Sequence, residues 1–179
     1  SILSKGKGAY IYDQNNKAYL DYGMGLRSVN IGYSEKEINN AAIKQIYNGN
    51  NLTRPSLGEL KAANLLTRII KSADMVKFTK NGSTAVTAAV KLARAYTGKN
   101  IVLRCLDHPF FSFDDWFIGS TVMSKGIPDH QKKMTLKFNY NDIESITSLF
   151  EKYHGEIAAV IMEPVTFTPP CATSFNQNK

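Results

Sequence analysis

The chain has 179 residues, of which 43% are apolar and 21% are charged, and its formal net charge is +7. These proportions are typical of a soluble globular protein with enough apolar residues for a sizeable core. No apolar run approaches the ~20 residues of a membrane-spanning helix, and the beginning of the chain lacks the apolar centre of a secretory signal. We therefore expect a cytoplasmic protein with no membrane partner.

The positive charges and the cysteines argue against two further classes of function. Lysine and arginine residues are scattered singly, without the basic run or the aromatic signature of a nucleic-acid-binding protein, so a solvated surface is expected. Cys105 and Cys171 have no CxxC or Cys/His spacing, which argues against a metal site and a disulfide framework. Cys105 ends an apolar run and is expected to be a buried free thiol.

The first third of the chain predicts a hairpin followed by two capped helices. Residues 8–22 alternate apolar and polar side chains around the turn residues 13–16, which is the pattern of a β-hairpin. Ser34–Glu37 has the spacing of a capping box and predicts a helix that ends near residues 48–50. Ser56–Glu59 repeats this spacing before the helical run LKAANLLTRIIK.

Helices and strands alternate from about residue 56 onward. The strand-like runs are MVKFT (75–79), NIVLRC (100–105), MTLKF (134–138) and EIAAVIME (156–163), and Asn141 with Glu144 offers a helix start between the last two. Such alternation predicts an α/β domain with a largely parallel sheet. The run IAAVIM lacks alternation, as in a strand covered on both faces. The segment 106–133 is too long for a plain connection, and its aromatic residues favour an ordered, functional loop.

The segment KNGST (80–84) forms a polar turn between a strand-like run and the helical run AVTAAVKLARAY. Backbone N–H groups and the helix dipole converge at such a helix start, which makes it a ready site for a phosphate. Neither GxxxxGK[ST] nor GxGxxG is present. The turn chemistry alone leaves two interpretations open, namely that Asn81 or Ser83 caps the helix, or that the turn binds a phosphate.

The segment KNGSTAVTAAVKLARAYTGK resembles the cofactor-phosphate segment of class III (glutamate-1-semialdehyde aminomutase-like) aminotransferases, which use pyridoxal 5′-phosphate. GKGAYIYDQNNKAYLDY, VNIGYSEKEINNAAIKQI, DDWFIGST and IAAVIMEPV resemble further family segments in the same order. The resemblance implies the α/β architecture of fold-type I enzymes, with a mostly parallel sheet in a large α/β/α domain. Residues 1–50 would be an N-terminal hairpin and helix of the small domain, and residues 51–179 part of the large cofactor-binding domain.

By the same resemblance, Gly82, Ser83 and Thr84 would bind the cofactor phosphate through backbone N–H groups and hydroxyls. The family's frequent Glu two residues after Ser83 is replaced by Ala85, so any role of that carboxylate is lost or moved. Tyr33 stands where the family commonly has His.

The family's Tyr-His-Gly motif, whose aromatic ring stacks on the pyridine ring, corresponds here to Asp107, His108 and Pro109. Because Asp107 cannot stack, His108, Phe110 or Phe111 are the candidates for that role. The alternatives are a structural histidine and core packing of the two phenylalanines.

Two further residues are candidates by position. Glu163, at the end of the last strand, would line the active site at the carboxyl edge of the sheet, or would merely cap a turn. Arg27 would face a substrate carboxylate, or would be a surface arginine.

Two residues that the family's chemistry needs have no match here, namely the Schiff-base lysine and the aspartate that pairs with the pyridine nitrogen. We therefore expect a fragment of a longer enzyme, truncated at both ends, and we nominate no catalytic residue in this chain. The resemblance implies a homodimer that acts on small amino and keto substrates. The alternatives are a non-catalytic phosphate-binding α/β module and an inactive gene remnant.

Overall fold

The computed structural model of the chain describes residues 2–108, 110–165 and 167–171. The chain divides into two compact units, Ser1–Asp74 and Met75–Lys179. The assignment of residues 1–50 to a small domain and of residues 51–179 to a large domain stays a prediction. None of the described helices is long and apolar enough to cross a membrane.

The N-terminal unit begins with an antiparallel sheet of three strands in the order β1-β2-β3, at Leu3–Lys7, Tyr10–Asp13 and Ala18–Leu20. Strands β2 and β3 confirm the predicted hairpin, in which Tyr10 lies opposite Leu20. Strand β1 is not predicted from the sequence, because its segment LSKGK has neither apolar alternation nor β-branched residues.

The carboxylate of Asp13 organises the hairpin turn. Its Oδ1 accepts hydrogen bonds from the N–H groups of Asn15 (2.9 Å) and Lys17 (3.0 Å), and its Oδ2 accepts one from the Tyr19 hydroxyl (3.1 Å). Burial by itself would raise the pKa of Asp13, but these hydrogen bonds to the ionised form outweigh it and hold the pKa below its ordinary value. The turn is therefore held by an ionised side chain.

Three helices follow in this unit: the single turn α1 (Met24–Arg27), then α2 (Lys36–Tyr47) and α3 (Leu57–Ile69). Both predicted long helices are confirmed, and so is the capping box of Ser56 with Glu59. The predicted Ser34 cap is wrong, because Ser34 has a left-handed backbone (φ 57°) and its hydroxyl donates to the Gly6 carbonyl instead. The Glu35 carboxylate caps α2 by accepting from the N–H of Ile38.

The C-terminal unit contains a parallel three-stranded sheet in the order β5-β4-β6, formed by β4 (Ile101–Cys105), β5 (Thr135–Phe138) and β6 (Ile157–Ile161). Its helices are α4 (Gly82–Thr97), α5 (Asp115–Ile118), α6 (Asp129–Lys132) and α7 (Ile143–Lys152). This alternation confirms the predicted α/β domain with a parallel sheet. The segment between β4 and β5 is ordered and contributes α5 and α6.

Three local predictions in this unit are wrong. The run MVKFT (75–79) is not a strand, because an extended segment needs a hydrogen-bonding neighbour and none lies beside it among the described residues. Strand β6 is at an edge of the described sheet and only Ile157 is buried in it, so it is not covered on both faces here. Helix α7 is capped by Asp142, which accepts from the Ser145 N–H, and not by Asn141.

The core of this unit lies on the two faces of the central strand β4. Ile101, Leu103 and Cys105 pack on one face against Phe138 and Ile157. The opposite face is covered by Val90, Trp116 and Phe117 around Val102. Cys105 is a buried free thiol, as predicted, and burial raises its pKa.

Arg104 is buried on the same strand, at 5% exposure. Its Nε donates to the Ser120 hydroxyl (2.7 Å), and its Nη atoms donate to the carbonyls of Ser120 (3.1 Å) and Cys105 (3.0 Å). Burial lowers the pKa of Arg104. These bonds tie the segment after α5 to the middle of the sheet.

Candidate functional site

The start of α4 is fixed by Asn81. Its Oδ1 accepts from both the N–H (2.9 Å) and the hydroxyl (3.0 Å) of Thr84, and Ala85 N–H closes the first helical bond to the Asn81 carbonyl (3.0 Å). Of the two predicted caps, it is therefore Asn81 that fills this position. Thr84 directs both of its donors to Asn81, so it has no uncommitted donor in this arrangement.

Gly82 and Ser83, which lie between Asn81 and Thr84, differ from Thr84 in that their N–H groups are not used by the cap. Within the described residues, neither the Gly82 N–H nor the Ser83 N–H has a hydrogen-bond partner. Gly82 is exposed, and a Cβ atom added to it would meet no atom within 4 Å. Two donors without a partner thus lie at the positive end of a sixteen-residue helix, next to an exposed glycine, which is the arrangement that an anionic group needs.

Ser83 adds a third donor. Its Oγ accepts a long hydrogen bond from the Phe113 N–H (3.4 Å), while its own hydroxyl proton has no acceptor among the described residues. Ser83 is only half-buried, so its hydroxyl can donate this proton to a ligand at the helix start.

The carboxyl ends of the three parallel strands meet at one edge of the sheet, and side chains join them there. His108, which follows β4, accepts at Nδ1 from the Glu163 N–H (2.8 Å) after β6. The Asp107 carboxylate accepts from the Tyr140 N–H (3.1 Å) after β5, and the Tyr140 hydroxyl donates to the Pro164 carbonyl (3.0 Å). Asp107, which cannot stack on a ring, thus helps to hold this edge together.

The three candidates for an aromatic face over a ligand differ in exposure. His108 is only 5% exposed, with its ring 4.9 Å from that of Tyr140 and 6.3 Å from that of Phe111. Phe111 is half-buried against Phe117, whereas Phe110 is 59% exposed and contacts Phe117 only by an edge-to-face packing at 5.5 Å. Phe110 is therefore the candidate with the most open ring.

The two remaining predicted residues belong to different units of the chain. Glu163 is fixed through its backbone, and its carboxylate makes no hydrogen bond within the part of the chain that is described. Arg27 belongs to the N-terminal unit, where it ends the turn α1 with φ 73° and is exposed. The structure thus links Ser83, His108, Phe110 and Glu163 through the segment after β4, while the roles of all the predicted site residues stay predictions.

A polar cluster that the sequence does not predict lies one helical turn beyond Ser83 and is formed by Thr87, Ser112, Asp114 and Trp116. Ser112 is completely buried. The only available signal was the spacing of Ser83 and Thr87, which places both on one helix face. Nothing in the sequence showed that the segment 112–116 would pack on that face.

The sequence model of the family Aminotransferase class-III matches residues 1–167, so the chain belongs to that family. It is similar to an omega-transaminase from Sphaerobacter thermophilus (27% identity, TM-score 0.85), covering 95% of this chain and 43% of that one. It is also similar to the FumI protein of Sphingopyxis sp. MTA144 in its PLP internal aldimine form (31% identity, TM-score 0.82, 91% of this chain and 38% of that one). A glutamate-1-semialdehyde aminomutase from Pseudomonas aeruginosa PAO1 shares the fold (21% identity, TM-score 0.78, 98% and 41%).

These findings confirm the predicted family, fold class and cofactor, since class III aminotransferases depend on pyridoxal 5′-phosphate. The chain spans less than half the length of each of these three solved structures.

Proposed function

We propose that this class III aminotransferase chain is the N-terminal part of an enzyme that transfers an amino group between an amino donor and a carbonyl compound. The enzyme would work as a cytoplasmic homodimer on small amino and keto substrates, and an aminomutase is one form of this activity. The observation that carries the proposal is the pair of N–H groups of Gly82 and Ser83, which have no hydrogen-bond partner among the described residues at the start of α4.

The residues present fit the phosphate group of pyridoxal 5′-phosphate. The N–H groups of Gly82 and Ser83 and the Ser83 hydroxyl supply three donors, and the helix dipole favours a negative charge beside them. Hydrogen bonds to a charged group contribute more than those between neutral groups. The helix start would therefore hold the cofactor by its phosphate.

The cofactor, when bound, supplies an electron sink for the carbon that loses its proton. Phe110 would cover one face of the cofactor ring, since it is the candidate aromatic residue with an open ring. Glu163 would present its carboxylate at the carboxyl edge of the sheet, where ligands of open α/β sheets bind.

No lysine of this chain stands in the context of the family's Schiff-base lysine. The proposed amino transfer therefore belongs to a longer protein that contains this chain, and the chain alone is expected to bind but not to transaminate. This expectation separates cofactor binding, which can be measured on the chain, from activity.

The binding test is a titration of the 179-residue chain with pyridoxal 5′-phosphate and, separately, with pyridoxal. Quenching of Trp116, the single tryptophan, reports occupancy. Pyridoxal is the reference compound without the phosphate. Because its free hydroxyl closes onto the aldehyde as a hemiacetal, pyridoxamine 5′-phosphate and pyridoxamine, which have no aldehyde, control for reaction with surface lysines. From the two N–H groups alone, which would make charge-assisted hydrogen bonds, we expect the phosphorylated compound to bind at least about a hundredfold more tightly than pyridoxal.

A matched pair of variants locates the site. Gly82→Pro removes one N–H donor, yet proline is favoured at the first helical position and the extended backbone of Asn81 accommodates it. Gly82→Ala keeps the N–H and adds a Cβ atom into open space. We expect the preference for the phosphorylated compound to fall about tenfold in Gly82→Pro relative to Gly82→Ala. Equal preference in both variants would contradict the proposed site.

A further inference from the structure

We propose that Thr87 is a positioning residue of the phosphate site, which it serves by anchoring the segment 112–116 against the first turns of α4. This inference rests on the proposed function, because it concerns the same site. Among the described residues, the hydrogen-bond partners of the Thr87 hydroxyl all lie in the segment 112–116. Thr87 therefore acts through Ser112 and Phe113 on the hydroxyl of Ser83.

The Thr87 hydroxyl is the centre of the polar cluster. It donates to the Asp114 carboxylate, and it accepts from the indole N–H of Trp116 (2.9 Å). The remaining contact, to the Ser112 hydroxyl at 3.0 Å, must then be donated by Ser112, since the only proton of Thr87 is already used. The Thr87 hydroxyl thus donates one hydrogen bond and accepts two, which uses its whole hydrogen-bonding capacity. These three bonds hold Ser112, Asp114 and Trp116 in place beside it.

These bonds place the Phe113 N–H over Ser83. Ser112 and Asp114 flank Phe113 in the chain and are both bonded to Thr87, and the Asp114 N–H also donates to the Ser112 hydroxyl (3.1 Å). The Phe113 N–H then donates to Ser83 Oγ (3.4 Å), and Ser112 Oγ lies 3.4 Å from the Ser83 carbonyl. Because Ser83 Oγ accepts from the Phe113 N–H, the Ser83 hydroxyl proton does not point at that N–H and is left for another acceptor.

The charge of Asp114 is compatible with an anion nearby. Asp114 lines a cleft of ≈ 390 Å³ together with Lys91 and Arg94, so cationic side chains share its surroundings. The carboxylate also accepts a hydrogen bond from the Thr87 hydroxyl, which keeps its hydrogen bonding within the cluster. The cluster thus orients Ser83 without itself supplying a ligand.

The test compares Thr87→Val, which keeps the shape but removes the hydroxyl, with Thr87→Ser, which keeps the hydroxyl. Affinities for pyridoxal 5′-phosphate and pyridoxal are measured on the 179-residue chain by Trp116 quenching, and folding is checked by far-UV circular dichroism. We expect Thr87→Val to weaken binding of pyridoxal 5′-phosphate about tenfold and binding of pyridoxal less than about twofold. Thr87→Ser should restore the original preference.

If Thr87 had a merely structural role, Thr87→Val would weaken the binding of both compounds equally. That result would overturn the proposal. Ser112→Ala, which removes the hydroxyl between Thr87 and Ser83, provides a second test and should reproduce the loss of preference for the phosphorylated compound. If the unmodified chain prefers pyridoxal 5′-phosphate but Thr87→Val and Ser112→Ala retain that preference, the inference about Thr87 fails while the proposed function stands. If the unmodified chain is folded by circular dichroism and shows no preference for pyridoxal 5′-phosphate, both the inference and the proposed function fail.

Discussion

The two units of the chain differ in what holds them together. In the described part of the C-terminal unit, Val102, Leu103 and Cys105 are completely buried, and apolar clusters cover both faces of β4. Among residues 2–74, by contrast, the only buried side chain is the carboxylate of Asp13. The first unit is shaped by hydrogen bonds and caps, and the second by burial of apolar surface as well.

The two kinds of interaction contribute differently to the free energy of unfolding. Caps and turn hydrogen bonds contribute about 1 kcal/mol each, whereas burial of one large apolar side chain contributes about 1.5–3 kcal/mol. Helix α2 exposes Ile38 (54%), Ile43 (50%) and Ile46 (60%), side chains that ordinarily help to form a core. We therefore expect the C-terminal unit to carry most of the stability of the chain.

The largest effect is expected from Leu103→Ala. This change empties a completely buried position in the central strand and should lower the free energy of unfolding by about 2–5 kcal/mol. Urea denaturation followed by far-UV circular dichroism measures it. Ile46→Ala, the control in the N-terminal unit, should change the free energy by less than about 0.5 kcal/mol. Equal losses in the two variants would remove the distinction between the units.

A smaller effect is expected from the caps of the N-terminal unit. Ser56→Ala removes an observed capping box and should destabilise α3 by about 1 kcal/mol. Ser34→Ala should leave the helicity of α2 unchanged, because Glu35 caps that helix. Helical content measured by circular dichroism distinguishes the two, and a loss of helicity in Ser34→Ala would show that the serine caps α2 after all.

In the turn α1, by contrast, a substitution is expected to stabilise the chain. Its four residues, Met24 to Arg27, all have φ between 46° and 73°, and a left-handed backbone costs a non-glycine residue about 1–2 kcal/mol. Leu26 is 95% exposed, so Leu26→Gly loses little packing and should stabilise the chain by about 1 kcal/mol in urea denaturation. Destabilisation would mean that the turn does not have this conformation in solution.

The pH dependence of the hairpin gives the finest test. Because the pKa of Asp13 is lower in the folded chain than its ordinary value of 3.8, its contribution is fully present above pH 3.8. That contribution should be lost as the pH falls below 3.8 and through the folded pKa. The Asn15 N–H donates to the Asp13 carboxylate, so the chemical shift of that amide proton, measured by NMR as the pH is lowered, reports the protonation of Asp13. Asp13→Asn should abolish this transition.

Much of the fold could be predicted from the sequence because it depends on local patterns. The hairpin has its turn residues, α3 has its capping box, and β4 and β5 are apolar runs between helices. The run MVKFT has the same apolar signal but forms no strand, because strand formation depends on a neighbour that no local pattern describes. Ser34 failed as a cap for a similar reason, since its backbone conformation follows from its contact with Gly6.

Part of the candidate site could likewise be predicted from local sequence patterns, and part could not. The helix start at Gly82 and Ser83 could be found from a polar turn before a helical run, and the family resemblance supplied the ligand. Thr87 and its partners could not be found, because they lie 25 or more residues apart in sequence and meet only through the packing of segment 112–116 on α4.

The most direct test of the central claim is an amide NMR titration of the chain with pyridoxal 5′-phosphate, with pyridoxal as the reference. If the helix start binds the phosphate, the amide proton signals of Gly82 and Ser83 should shift downfield when pyridoxal 5′-phosphate is added. They should not shift when pyridoxal is added. If both amides stay unmoved while signals elsewhere shift, the phosphate lies at another site and the account is contradicted.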